Sequence, residues 1–139
     1  MKPPVMIDAG PLIALFDRTE APHVAARATL STISDRLFTT VPVLVEAAHL
    51  LQPSTPGGRA LRDFVLRGAV AIWYLSSATL TRCFALMEQY ADQPMDLADA
   101  SLVVAAERLR TSRIFTLDRK HFSAYRIRRG HRLLPFELV

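Results

Sequence analysis

The stretch Pro94–Phe122, PMDLADASLVVAAERLRTSRIFTLDRKHF, decides the reading of this chain. Pro94 discourages helix before it, and Asp96 and Asp99 stand at the spacing of an N-cap and the third residue after it. Leu102, Val103, Ala106 and Leu109 then recur at helical period, which predicts an amphipathic helix. Ile114, Phe115, Thr116 and Leu117 follow as a short β-favouring run that ends at Asp118. In an α/β sheet, carboxylates at the C-terminal end of a strand and at a neighbouring helix start face the crevice where ligands bind. The stretch therefore predicts an acidic cluster at one edge of a parallel sheet.

The N-terminal segment repeats this arrangement. Val5, Met6 and Ile7 form a hydrophobic strand that stops at Asp8, and Ala9-Gly10-Pro11 leads into the apolar segment LIALF. Asp8 then stands either at the same sheet edge or simply as a turn or helix cap. Ala21–Ile33 reads as a second helix, with His23 at its start as a surface or capping histidine. Leu37–Thr40 reads as the second strand, and Pro42 suits the first turn of the helix VPVLVEAAHLL. Val43, Leu44, Val45, Ala47 and Ala48 surround Glu46, which predicts a buried carboxylate in need of a partner, a proton or a cation. The alternative is a residue on the helix's polar stripe, beside His49.

Gln52–Gly58 (QPSTPGG) is the clearest loop, followed by a helix, RALRDFVLRG, and a third strand, AVAIWYL. Ser76 or Ser77 caps the helix ATLTRCFALMEQY, whose Leu80, Phe84, Met87 and Tyr90 are spaced as a buried stripe. Leu133, Leu134 and Phe136 suggest a last strand, kept at an edge by Pro135. Alternating strands and helices without repeats predict one α/β unit over residues 1–139, with a mostly parallel sheet.

Composition narrows the class. A chain of 139 residues that is 50% hydrophobic and 22% charged is built as a globular domain, not a disordered segment. The lone Cys83 allows no internal disulfide and is expected in the core. No apolar run reaches the roughly 20 residues of a membrane helix, and the N-terminus lacks signal-peptide flanks, so a cytoplasmic location is expected. The net charge is +4, and Arg119, Lys120, Arg126, Arg128, Arg129 and Arg132 follow one another with no acid among them. Such a run is either a plain solvated surface or a rim that holds a polyanion.

Asp8, Glu46, Asp99 and Asp118 each fall at a strand end or on a helix near one sheet edge. Gathered without neutralisation, four carboxylates raise one another's pKa, so a divalent cation or a basic group is expected among them. With no thiolate or histidine pair at zinc-like spacing, oxygen ligation favours Mg²⁺ or Mn²⁺. Ions of this kind, singly or in pairs about 3.5–4 Å apart, serve phosphodiester hydrolysis, and the basic run would hold a phosphate backbone.

The segments MIDAGPLIALFD, VPVLVEAAHLL, PMDLADASLVVAAERL and IFTLDRKHF, in this order and spacing, resemble PIN-domain ribonucleases, most closely the VapC-type toxins of toxin–antitoxin pairs. The resemblance spans nearly the whole chain and implies a three-layer α/β/α fold with a central sheet of about five strands. It matches Asp8, Glu46, Asp99 and Asp118 to the family's four acids, and Thr116 to a hydroxyl residue near the metal. Asp96 is either an extra outer acid or a helix cap. The implied activity is Mg²⁺- or Mn²⁺-dependent endonucleolytic cleavage of RNA, for which the basic run offers Arg119, Lys120, Arg126, Arg128 and Arg129 as candidate RNA contacts. The implied partners are an antitoxin and a second copy in a homodimer. Where many relatives carry a further acid in the last motif, this chain has His121. The rival from another class is a PIN-like RNA- or protein-binding module with little or no nuclease activity. A haloacid-dehalogenase-type phosphatase is disfavoured by Gly10, which stands where its second acid would be.

Overall fold

Five strands of two to three residues each, hydrogen-bonded in the order β3-β2-β1-β4-β7, form the centre of the molecule. The computed structural model describes residues 2–139. The strands are β1 (Val5–Ile7), β2 (Leu37–Thr39), β3 (Ala71–Ile72), β4 (Arg113–Phe115) and β7 (Glu137–Leu138), and every pairing among them is parallel. The helices are α1 (Ala9–Phe16), α2 (His23–Thr32), α3 (Val41–Leu51), α4 (Pro56–Leu66), α5 (Ser77–Gln89), α6 (Leu97–Leu109) and α7 (Arg119–Ala124). The chain builds outward from β1 through β2 to β3, then returns across β1 to place β4 and β7 on its other side. Right-handed crossovers in opposite directions put their helices on opposite faces. In keeping with this, α1 packs against α2, α3 and α4, whereas α5 packs against α6. The result is the three-layer α/β/α arrangement with five central strands, parallel throughout.

The order reverses between β1 and β4, and the crevice at such a switch point is where ligands bind in open α/β sheets. β1 is completely buried, as parallel strands covered on both faces are. In α6, Ala98 and every residue from Ala100 to Ala106 are buried, so the helix is buried around most of its circumference through its middle, more than one amphipathic stripe predicts. Cys83 is fully buried, as expected.

Four expectations are corrected. The buried face of α5 carries Thr79, Cys83 and Leu86 rather than the stripe Leu80, Phe84, Met87 and Tyr90. Phe84 is 54% exposed. The small Thr79 and Cys83 lie on the buried face, while Leu80, Met87 and Tyr90 flank it half-buried and Phe84 points outward. Secondly, Glu46 is exposed. α3 presents Val41, Val45 and Leu50 to the outside along with it, so apolar neighbours in sequence are not buried neighbours in space. Thirdly, α4 begins at Pro56, inside the segment read as loop, with Thr55 accepting from the Gly58 N–H at 3.0 Å. A Cβ at Gly58 would run into the Gln52 carbonyl oxygen, so the turn requires glycine there. Fourthly, the C-terminal basic run forms a hairpin apart from the main sheet, β5 (Arg126–Arg129) paired antiparallel with β6 (Arg132–Pro135). Gly130, at φ 61°, opens its two-residue turn. Leu133 and Leu134 belong to β6, while β7 is the strand that completes the central sheet.

Candidate active site

Three of the helices that begin at the C-terminal edge of the sheet are each capped by an aspartate. Asp8 caps α1, its Oδ1 accepting from the Ala9 N–H at 2.8 Å. Asp96 caps α6 in a capping box: its Oδ1 accepts from the Asp99 N–H at 2.8 Å, and Asp99 Oδ2 accepts from the Asp96 N–H at 3.2 Å. Asp118 caps α7 and accepts from the His121 N–H at 3.3 Å. Capping and site formation are therefore compatible at Asp8 and Asp96. Short polar residues satisfy the free N–H groups, and the positive helix ends make the crevice tolerant of negative charge.

These caps and α3 meet in one pocket of about 550 Å³, lined by Asp8, Gly10, Glu46, Asp96, Asp99, Asp118 and His121 among others. All four sequence-matched acids line it, together with Asp96. Buried hydroxyls fix the elements that carry them. Thr116 donates to Asp8 Oδ2 at 2.9 Å and accepts from the Asp118 N–H at 3.0 Å, joining the ends of β1 and β4. Thr40, just before α3, lies 2.6 Å from Ser101 on α6, and Thr39 donates to the Ile7 carbonyl at 2.8 Å.

Electrostatics show the strain of this assembly. Burial, reinforced by the charges of Glu46 and Asp96, pushes Asp8 up to about 6 in spite of its hydrogen bonds from Ala9 and Thr116. Burial and the Asp96 charge hold Asp99 well above the ordinary carboxylate range, with Asp8 adding to the effect. Glu46, exposed as a residue, is raised by the partial desolvation of its carboxyl at the pocket rim and then by the Asp96 charge. Each of these acids resists ionising in the presence of the others. Among the described residues, no three acid, histidine or cysteine side chains are close enough to enclose an ion unaided. The donor set still fits a hydrated hard cation: it is oxygen-rich and open, and Mg²⁺ commonly keeps several waters while using one or two carboxylates.

Two contacts in this site were not foreseen from sequence. His121 Nδ1 lies 2.9 and 2.8 Å from the two Asp118 oxygens, a contact signalled only by the three-residue spacing from a helix cap. Tyr125 is fully buried and donates to Asp99 Oδ2 at 3.4 Å and to the Gln93 carbonyl at 3.2 Å. Nothing local in the sequence marks the Tyr125 contact, because it spans 26 residues. Of the basic residues, Arg119 and Lys120 are exposed in the first turn of α7, next to Asp118. Arg126, Arg128 and Arg129 leave along β5 instead. The Arg128 N–H donates to Glu107 at 2.7 Å, which is roughly 12 Å along α6 from Asp99 at the helical rise per residue. His23 caps α1 from outside the site, its Nδ1 2.6 Å from the Ala14 carbonyl.

Comparison with known proteins agrees with this architecture. Residues 5–127 match the family model of the PIN domain. Ribonuclease VapC26 of Mycobacterium tuberculosis is 35% identical over 126 residues, which are 88% of this chain and 92% of that protein. M. tuberculosis VapC20, described as a sarcin–ricin loop cleaving toxin, has the same fold with a TM-score of 0.78 at 15% identity, covering 86% of this chain and 94% of that one. A chain of a toxin–antitoxin complex from Klebsiella pneumoniae superposes with a TM-score of 0.66 at 19% identity, covering 86% and 90%. With its five-stranded parallel sheet and its pocket at the switch point, the chain belongs to the PIN-domain family, among the VapC-type proteins.

Proposed function

We propose that the protein is a divalent-metal-dependent endoribonuclease and the toxin of a toxin–antitoxin pair, acting in the cytoplasm. The observation that carries this reading is the convergence of Asp8, Glu46, Asp99 and Asp118 on one pocket from four separate segments, against desolvation, with repulsion from neighbouring carboxylates added to it, that raises Asp8, Glu46 and Asp99. Repulsion of this kind is tolerated where a cation is to be bound. The 35% identity to a protein named as a ribonuclease points the same way.

Asp8, Glu46, Asp99 and Asp118 would hold Mg²⁺, or Mn²⁺, directly or through water, with Asp96 and Thr116 in the outer shell. A bound divalent cation supplies Lewis acidity to the phosphate and makes water a better nucleophile. The protein's own groups do the rest. Thr116 and the Ala9 N–H keep Asp8 aimed from the end of β1. Glu46 has no hydrogen-bond partner among the groups that set its pKa and is free to take a proton from water as it attacks phosphorus. A P–O bond of the backbone then breaks, leaving one fragment with the phosphate and the other with a hydroxyl. Arg119 and Lys120 stand in the first turn of α7, where the helix dipole disfavours cations. That placement suits contact with the phosphates of a bound strand. An antitoxin segment and a second copy of the chain are the expected protein partners.

The test is cleavage of a mixed transfer- and ribosomal-RNA pool by purified protein with Mg²⁺, with EDTA, and with Asp99→Asn. Discrete fragments lost with EDTA and in the variant support the reading. Unchanged RNA binding without cleavage at any Mg²⁺ or Mn²⁺ concentration would instead identify a binding module.

A further inference from the structure

The Asp99 carboxylate is held from one side. Its Oδ2 accepts two hydrogen bonds, from the Asp96 N–H at 3.2 Å and from the Tyr125 hydroxyl at 3.4 Å, whereas Oδ1 accepts none among the described residues. The torsion that turns a carboxylate about its own axis is broad and roughly two-fold, so a single donor leaves it soft. A second donor on the same oxygen, arriving from a different element, fixes the plane. Oδ1 is then the oxygen left to the pocket that Asp99 lines.

Tyr125 is placed to act in this way. Its ring is fully buried at the C-cap of α7, edge-on to Tyr90 at 5.2 Å and to Phe122 at 5.1 Å, and nearly parallel to His121 at 6.4 Å. Phenylalanine would fill the same space, and a buried hydroxyl costs free energy unless it is bonded. Here it is bonded twice, because the Gln93 carbonyl, in the turn that leads into α6, lies 3.2 Å from it. One proton shared between two acceptors bridges that turn and the first turn of α6. Among the described residues, the bond to Asp99 is the one side-chain hydrogen bond between the α7 segment and the start of α6. Asp118 begins α7 and Tyr125 ends it, so one short helix and one hydroxyl relate Asp118 to Asp99 across the pocket. Tyr90 gives the contrast: its ring stands in the same cluster, but its hydroxyl accepts the Arg126 N–H at 3.1 Å and meets no acid.

We propose that Tyr125 is a positioning residue, whose hydroxyl holds the Asp99 carboxylate in the plane that turns Oδ1 to the pocket. The inference rests on the nuclease reading and adds to it a residue, 26 positions away in sequence, that acts through Asp99.

The experiment compares Tyr125→Phe with Tyr90→Phe in the full-length protein, each removing one hydroxyl from the cluster and leaving its ring. Initial rates on increasing amounts of the transfer- and ribosomal-RNA pool with Mg²⁺ give kcat and an apparent KM. Amide hydrogen exchange followed by nuclear magnetic resonance reports the Asp96 N–H, whose acceptor is Asp99 Oδ2. Tyr125→Phe should lower kcat roughly tenfold with KM unchanged, the lower end of what partners that orient a functional side chain cost. It should also speed exchange at Asp96 relative to the interior of α6. Tyr90→Phe should leave kcat, KM and the Asp96 exchange at wild-type values, although it strands the Arg126 N–H. Unchanged Asp96 exchange in Tyr125→Phe, or equal acceleration in both variants, would overturn the inference whether or not the protein cleaves RNA. Faster exchange with kcat unchanged would make the hydroxyl a structural tie only, and the positioning role would fall. Absence of EDTA-sensitive cleavage by wild type would remove the nuclease reading and the positioning role with it, while the exchange comparison would still decide whether the hydroxyl holds Asp99.

Discussion

Asp8 does two things that conflict in the metal-free protein. As a buried cap it satisfies the Ala9 N–H and accepts the Thr116 hydroxyl, yet ionising it there is costly, and its pKa rises from 3.8 to about 6. A carboxylate whose folded pKa is raised favours the folded state fully below the unfolded value and loses that contribution as pH climbs through the folded value. Metal-free protein should therefore lose roughly 3 kcal/mol from this group between about pH 4 and pH 7, since each tenfold change in proton affinity corresponds to about 1.4 kcal/mol. Thermal unfolding at several pH values should show lower stability at pH 8 than at pH 5 in EDTA, with the gap narrowed by Mg²⁺. A flat profile in EDTA would contradict the burial of this charge. Thr116 gives a second handle, because its hydroxyl serves both Asp8 and the Asp118 N–H. Thr116→Val keeps the shape but strands both groups, at about 1–3 kcal/mol in a denaturant melt and with a clear loss of cleavage. Thr116→Ser should retain most of each.

The helices owe their positions to hydroxyl ties that sequence patterns do not show. The contact between Thr40 and Ser101 spans 61 residues and joins the approach to α3, which bears Glu46, to α6, which bears Asp99. Ser101→Val should lower stability by about 1–3 kcal/mol by leaving the buried Thr40 hydroxyl unpaired, and cleavage should fall with it. Ser76→Ala, which removes the cap of α5 far from the acids, should cost about 1 kcal/mol with cleavage unchanged. Equal effects of the two on cleavage at matched stability would deny the tie a role in the site. The same distinction explains what could be read in advance. Strands ending in aspartate, a proline-started helix and an aspartate three residues before another are local signals, and they locate β1, α3, β4, α6 and the four aspartates of the pocket. The face of α5 is ambiguous in the sequence because Leu80, Phe84, Met87 and Tyr90 satisfy helical periodicity as well as Thr79, Cys83 and Leu86 do. Only the packing partner decides between those two faces. Glu46 was expected to be buried for the same reason, and its place in the pocket follows from the path of α3. The hairpin was hidden beneath its own charges: arginines mask the pairing of β5 with β6, and Gly130 was the one local sign of a turn.

On the scale of the whole molecule, the net charge of +4 conceals a separation of charge. Acids gather where helix N-termini point, at one edge of the sheet, while the basic residues divide between the start of α7 and the hairpin. On the proposed function, an RNA strand drawn by the overall positive charge must still bring its phosphate to an acidic pocket, so cations beside the pocket matter more than distant ones. Arg119 and Lys120 are next to Asp118 along the chain, whereas Arg128 is anchored by its backbone to Glu107 toward the other end of α6. For single strands, each phosphate contact adds about 0.7 to the slope of log affinity against log salt concentration. Arg119→Ala and Lys120→Ala should each reduce that slope by roughly 0.7 and weaken RNA binding, while Arg128→Ala should leave the slope unchanged. The measurement is fluorescence anisotropy with a labelled single-stranded RNA at several salt concentrations, in Asp99→Asn protein so that the probe stays intact. If Arg128→Ala lowers the slope as much as Arg119→Ala, the strand runs along the hairpin as well, and the RNA path extends down the length of α6.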